Sequence, residues 1–318
     1  MNPGAARTLA RLRAAAPLVG AWAGFWLIAA AAHAEDFEAV SSTASPEYVR
    51  AKLPDGSFKP ETYAFGKGGY WSGPLADATI DKLDFMDVAR TIAKPLADQR
   101  YVPSSDPRAT KLLIMVYWGT THAPEHPTNS PEYELAMQEV TRILVNSKAP
   151  ASFPMPGGRG SQIVGHSGMT VQQSNAVLDA LLPVEAENRA RDEQDRRTAA
   201  LLGYGTWWNE YAGIDHAGTA INQRWQDMID ELEEYRYFVI LMAYDFQLMW
   251  KEKKHRLLWE TRFSISEHHT RFDAQLAAMA LDASRYFGQN SGGLIHTSEP
   301  MGRVEIGEVK SLGVVPEK

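Results

Sequence analysis

The stretch Lys111-Leu-Leu-Ile-Met-Val-Tyr-Trp-Gly119 decides the fold class. Its apolar side chains run without a break, so neither face is polar, and the run is too short for a buried helix. It reads as a central strand, which needs packed layers on both sides. Upstream, Phe85, Val88, Ile92 and Leu96 recur at steps of three, four and four, the stripe of a helix within 78–100. Pro95 lies inside that stripe and is expected to kink or thin its last turn. Glu61-Thr-Tyr-Ala-Phe65 alternates and reads as a first strand, ended by the glycines at 66, 68, 69 and 73. Strand, helix and strand in this order, with a crossover of this length, favour a parallel unit.

Downstream, 237–246 is apolar on both faces, whereas Leu257, Trp259, Phe263 and Ile265 alternate with polar residues. Between them Lys251-Glu-Lys-Lys254 is a charged tip, so the pair reads as a bulged antiparallel hairpin with Trp259 and Phe263 facing the core. Thr270 and Asp273 resemble a capping box, opening a helix with the stripe Phe272, Leu276, Met279, Ala283 and Phe287, stopped by Gly288. A short strand is expected at 304–309. Between the two apolar runs the pattern turns helical. Ser130 and Pro131 are an N-cap and first helical residue, and that helix runs to Ser147. Residues 149–170, rich in proline and glycine, form a long loop. Glu185, Glu187, Asp192 and Glu193 each precede an arginine by four residues, supporting a solvated helix that ends at Gly203. Ile221, Trp225, Met228, Ile229 and Leu232 mark another.

The expected fold is therefore α/β (α+β): a mixed sheet of four to five strands with packed helices, interrupted by a mainly helical insertion at about 131–235. The domain is expected to span 61–318, behind an extended or poorly ordered lead-in at 35–60. Residues 1–34 read as a signal peptide, because Arg7, Arg11 and Arg13 precede an apolar run ending in Ala32-His33-Ala34. Export is thus expected, to the periplasm or outer envelope, with no transmembrane segment left after cleavage. The 318 residues include no cysteine, which excludes disulfides, zinc–cysteine sites and a lipid anchor through cysteine. Losing three arginines with the signal takes the formal charge from −7 to −10, so nucleic acid is excluded as a partner and anionic lipid disfavoured. A local basic patch stays open.

Tyr63-Ala-Phe65, Gln99-Arg-Tyr101, Leu112-Leu-Ile-Met-Val116, Asp245 with Trp259, and the helix from Phe272 to Phe287 carry a resemblance. In that order they resemble a family of small bacterial envelope lipoproteins of unknown function. The resemblance covers about half of the mature chain and implies the fold and an envelope location, but no catalytic residue. Two features depart from the family: no lipid-bearing cysteine is present, and the helical insertion is much longer.

Candidate chemistry is sparse. His122-Ala-Pro-Glu-His126 follows the central strand, and its two imidazoles could ligate a metal, although Pro124 and Pro127 oppose the helix that the usual His-Glu-x-x-His geometry needs. His268-His269 reads as a solvated turn. Gly165-His-Ser-Gly-Met169 only nearly matches a nucleophile elbow, and Gly66-Lys-Gly-Gly69 reads as a turn. Asp245 is either a buried acid of raised pKa or a carboxylate that meets an arginine. Trp207, Trp208 and Tyr211 are either an exposed binding platform or the seal between insertion and sheet. The leading expectation is a non-catalytic exported binding or scaffold protein, taking an envelope protein or small ligand and needing no cofactor. A metal-assisted hydrolase using His122 and His126, and a structural assembly subunit, are the alternatives; oligomeric state is not legible.

Overall fold

Two strands that are apolar on both faces need cover above and below, and the fold supplies it by wrapping helices around a single mixed sheet. In the computed structural model the chain divides into two units, Met1–Ala34 and Glu35–Lys318. The structure describes residues 37–124, 127–147, 170–212, 220–268 and 270–298, all in the second unit. The strands are β1 (Phe37–Ala44), β2 (Glu61–Trp71), β3 (Tyr101–Pro103), β4 (Leu112–Thr120), β5 (Arg236–Asp245), β6 (Leu257–Ser266) and β7 (Leu294–Ser298). The helices are α1 (Ala78–Asp81), α2 (Phe85–Asp98), α3 (Pro131–Ser147), α4 (Val171–Leu202), α5 (Gly205–Tyr211), α6 (Ala220–Leu232), α7 (Phe246–Glu252) and α8 (Phe272–Ala283). The seven strands lie in the order β3-β2-β4-β5-β6-β1-β7. β2 is parallel to β3 and β4, and the other pairings are antiparallel.

Alternation along the central strands sends residues to two cores. Ile114, Val116 and Trp118 join Val239, Leu241, Trp259 and Phe263 under α1, α2 and α8, which contribute Ile80, Val88, Ile92, Phe272, Leu276 and Met279. On the other face Phe238 and Ile240 meet Ala199, Leu202, Trp208, Trp225 and Leu232 from the insertion. The mixed α/β class and the helical interruption between β4 and β5 stand as expected, with seven strands among the described residues where four to five were expected.

The additional strands have physical reasons to be hard to read. β1 lies in the stretch expected to be a lead-in; Phe-Glu-Ala-Val-Ser-Ser-Thr-Ala is half polar, and its place between β6 and β7 comes from long-range pairing. Of its two buried polar side chains, Glu38 and Ser42, the serine Oγ meets Thr261 Oγ1 at 2.7 Å and donates to the Tyr286 carbonyl at 2.9 Å. β2 runs through Gly66, Gly68 and Gly69, three of the four glycines expected to end it, and stops at Trp71 before Gly73. A Cβ on Gly66 would lie 2.3 Å from Met115 Sδ, and one on Gly68 2.5 Å from the Tyr117 ring, so these glycines admit large neighbours on β4. The register shifts between Lys67 and Gly69.

The expected helix at 78–100 is two helices, the second opened by a capping box between Asp84 and Asp87 and continuing through the buried Pro95 to Asp98. The capping box expected at Thr270 and Asp273 is absent. Thr270 turns back onto the Ser266 carbonyl, and Asp273 pairs with Arg271 at 2.7 Å. The strand expected at 304–309 and nearly all of the loop at 149–170 fall outside the described residues.

The β5–β6 pairing has the expected register, with a bulge between Ala243 and Tyr244 and both Trp259 and Phe263 buried. Trp259 lies between Tyr101 and Phe287, each ring centroid 5.9 Å away. Trp259→Ala should therefore cost roughly 3–5 kcal/mol, read as a lower urea midpoint at unchanged slope. An unchanged midpoint would place the indole outside the core.

Candidate binding site on the helical insertion

The insertion is fastened where α4 ends. Gly203 has φ +91°, and a Cβ there would lie 2.5 Å from Ser41 Cβ, so the left-handed turn and the close approach to β1 both require glycine. Arg262 on β6 donates to the carbonyls of Ala200 (2.9 Å) and Leu201 (2.8 Å), two of the groups a helix C-terminus leaves open. Glu260 holds that guanidinium at 3.2 Å.

Beyond this turn, α5 and α6 bring the aromatic group to the sheet. Trp208 is buried against Trp225, with ring centroids 5.4 Å apart. Trp207 and Tyr211 meet as a tilted pair, ring centroids 4.8 Å apart, and pack, half-buried, on the same core. An exposed platform of all three is not what the structure shows: Trp208 belongs to the core, and its two neighbours form the border of the seal.

A polar network missed in the sequence lies beside that seal. Glu231 of α6 accepts a hydrogen bond from Tyr204 Oη and meets His296 Nε2 of β7 at 3.1 Å. Arg236, almost wholly buried on β5, approaches Glu231 at 3.9 Å and Glu234 at 3.6 Å. Burial pushes the Glu231 carboxyl up, but the hydrogen bond from His296, the Arg236 charge and the Tyr204 hydroxyl outweigh it and hold it below its ordinary value. A carboxylate held ionised by several donors is a poor proton acceptor, so this cluster acts as a clamp between insertion and sheet. Its members are scattered in the sequence, and no local spacing marks them.

The other expected site residues do not converge. His122 is exposed just after β4, its carbonyl accepting from Gln194 at 3.0 Å and its ring edge-on to Tyr235. His126 lies outside the described residues, as do residues 165–169 and His269. Among the described residues no three His, Asp or Glu side chains are grouped to hold a metal ion. Asp245 caps α7 through the Leu248 amide at 3.0 Å and pairs with Arg256. Its partial burial raises the carboxyl, but those two donors leave it below the usual range, so the raised-pKa reading is corrected.

The remaining feature is an arm. α3 opens on Ser130, whose Oγ accepts the Tyr133 amide at 3.1 Å and donates to Glu187 at 2.7 Å. Arg191 turns to Glu233, just after α6, rather than to Glu187, because tertiary partners on both sides displace the expected local pair. Glu185–Arg189 and Glu193–Arg197 do form at four-residue spacing, while Arg196 meets Glu193 instead of making the expected Asp192 pair. α3 and the first half of α4 share their own core of Tyr133, Ala136, Val140, Ile143, Val177, Leu181 and Val184, distinct from both sheet cores. Outside that core Val171, Leu178 and Leu182 are exposed, and helical geometry places them within about 40° of one another. Among the described residues of these two helices up to position 189, Glu132, Glu134, Glu139, Asp179, Glu185 and Glu187 outnumber Arg142 and Arg189, with which Glu139 and Glu185 are paired.

No family model matches the chain, and no curated protein does. Among solved structures, a PDZ domain protein from Parabacteroides distasonis ATCC 8503 is similar over 82% of this chain and 38% of that one. This chain thus spans well under half of that protein's length. The identity is 11% and the TM-score 0.34, a likeness that assigns neither fold nor function.

The clamp has a pH signature. A carboxylate whose folded pKa is depressed stabilises the fold above its unfolded value near 4.5, and that stabilisation disappears as pH falls through the lower folded value. Glu231→Gln should cost about 3 kcal/mol at neutral pH, by leaving Arg236 undercompensated. The gap from wild type in urea midpoint should then narrow as pH falls below the ordinary carboxylate value near 4.5. A gap that stays constant through the acid range would remove the ionised carboxylate from the clamp.

Proposed function

We propose that this chain is an exported envelope protein that works by binding, with the α3–α4 arm as its contact face. The carrying observation is the exposed stripe Val171, Leu178 and Leu182 on a helical pair that already has its own core. Those side chains are not needed to hold the arm together, and apolar groups aligned on one helical face suit a helix-in-groove or helix-on-helix contact. The excess of acids over arginines on these two helices favours a partner segment that is basic as well as amphipathic, and opposes pairing of two such arms. The signal-like N-terminus and the resemblance to envelope lipoproteins support the location.

The reading is tested by a photo-crosslinking residue at position 178 in cells producing the full chain. One discrete adduct is expected, and it should disappear with Leu182→Asp while the melting temperature changes by less than about 2 °C, since an exposed substitution costs little. Absence of an adduct at 171, 178 and 182 alike would sink the arm as contact face.

A further inference from the structure

β5 passes into β6 through α7, whose seven residues carry Phe246, Trp250 and Lys251, and Lys253, Lys254 and Arg256 follow it before β6. Phe246 and Trp250 stack with centroids 6.4 Å apart, and Trp250 is 43% exposed. Together with Met249, Lys253 and His255 they line an open cavity of about 290 Å³. Lys253 ends the helix at φ +59°, a left-handed position where glycine is the unstrained choice, yet a cation stands there. Lys254 meets Glu252 at 3.0 Å and Arg256 pairs with Asp245, whereas Lys251 and Lys253 form no ion pair with a described residue. Gln247 Nε2 donates to the carbonyls of Pro107 (2.8 Å) and Thr110 (2.7 Å), which brings Arg108 and Lys111 to the same end of the sheet.

β4 and β5 are antiparallel, so the end of the sheet that bears α7 is opposite the end from which the acidic arm springs. At the α7 end Lys251, Lys253, Lys254, Arg256, Arg108 and Lys111 outnumber Asp245, Glu252, Glu47 and Asp106, whereas α3 and α4 carry more acids than arginines, so the net negative charge of the chain conceals an uneven distribution. We infer that the α7 end is a docking surface for an anionic lipid bilayer. Trp250 and Met249 enter the headgroup layer, and Lys251 and Lys253 meet lipid phosphate. The zone between headgroup and acyl chain accepts apolar rings and cations within a few ångströms of each other, which a small soluble anion does not. The acidic arm, at the far end, adds no repulsion at the bilayer and is left facing away from it. This inference stands independently of the arm's role as contact face.

Because the chain has no cysteine, one introduced thiol gives a single labelled site. Lys254→Cys carries an environment-sensitive dye at the tip, and Leu178→Cys carries it on the arm as control. The full chain is mixed with vesicles of phosphatidylcholine alone or with phosphatidylglycerol added, at low and high salt. The tip label should shift to the blue only with phosphatidylglycerol vesicles, the shift should weaken at high salt, and the arm label should not respond. Lys251→Gln with Lys253→Gln should weaken the partition about 25-fold, roughly fivefold per lysine. Trp250→Ser should reduce both partition and shift, and both exposed sites leave the melting temperature unchanged. A tip label that is silent, or equally shifted by neutral vesicles, overturns the inference. So does an equal shift with a short-chain phosphatidylglycerol below its micelle threshold, which would make the cavity a site for free amphiphile.

Discussion

Two carbonyls at the end of α4 and the guanidinium of Arg262 govern how this molecule is arranged. A helix as long as α4 presents open acceptors at its C-terminus, and here the sheet itself supplies the donor. Because Gly203 lets the chain turn directly against β1, α5 and α6 follow at once onto the same face and bury Trp208 and Trp225. The Glu231 clamp then secures α6 to β5 and β7. With one end of α4 so fixed, its first half is free to carry α3 and an independent core.

Strong apolar periodicity was legible and weak or distant pairing was not. β4 and β5 are readable because both faces are buried, and β6 because Trp259 and Phe263 alternate with polar residues. β1 is half polar, β3 has three residues and β7 five, so each owes its existence to a neighbouring strand. The glycines of β2 look like a stop signal until the side chains of Met115 and Tyr117 are placed beside them. In the site, the end of α4 at Gly203 and two of its four expected acid–arginine pairs could be read locally. Which aromatics face solvent could not, because burial of Trp208 is decided by Trp225, seventeen positions on.

Net charge proved a poor guide to surface character for a related reason. A sum over the chain gives −7, yet α3 and α4 carry nine acids against five arginines while Lys251, Lys253 and Lys254 cluster beyond the far end of β5. At physiological ionic strength charges act over about one Debye length, ~8 Å, so an approaching surface feels one end and not the total.

The two borders of the sheet carry a consequence for self-association. β3 offers three residues, one of them Pro103 with no amide hydrogen, and β7 offers five. Strand-by-strand extension between molecules needs a long regular row of open donors and acceptors; β7 provides only a short one, and where β3 leaves the outer edge of β2 uncovered beyond Tyr63 that edge is broken by the register shift between Lys67 and Gly69. A sheet whose middle strands are intensely apolar is thereby protected against fibrous growth while folded, and the risk moves to states in which β4 or β5 is transiently uncovered.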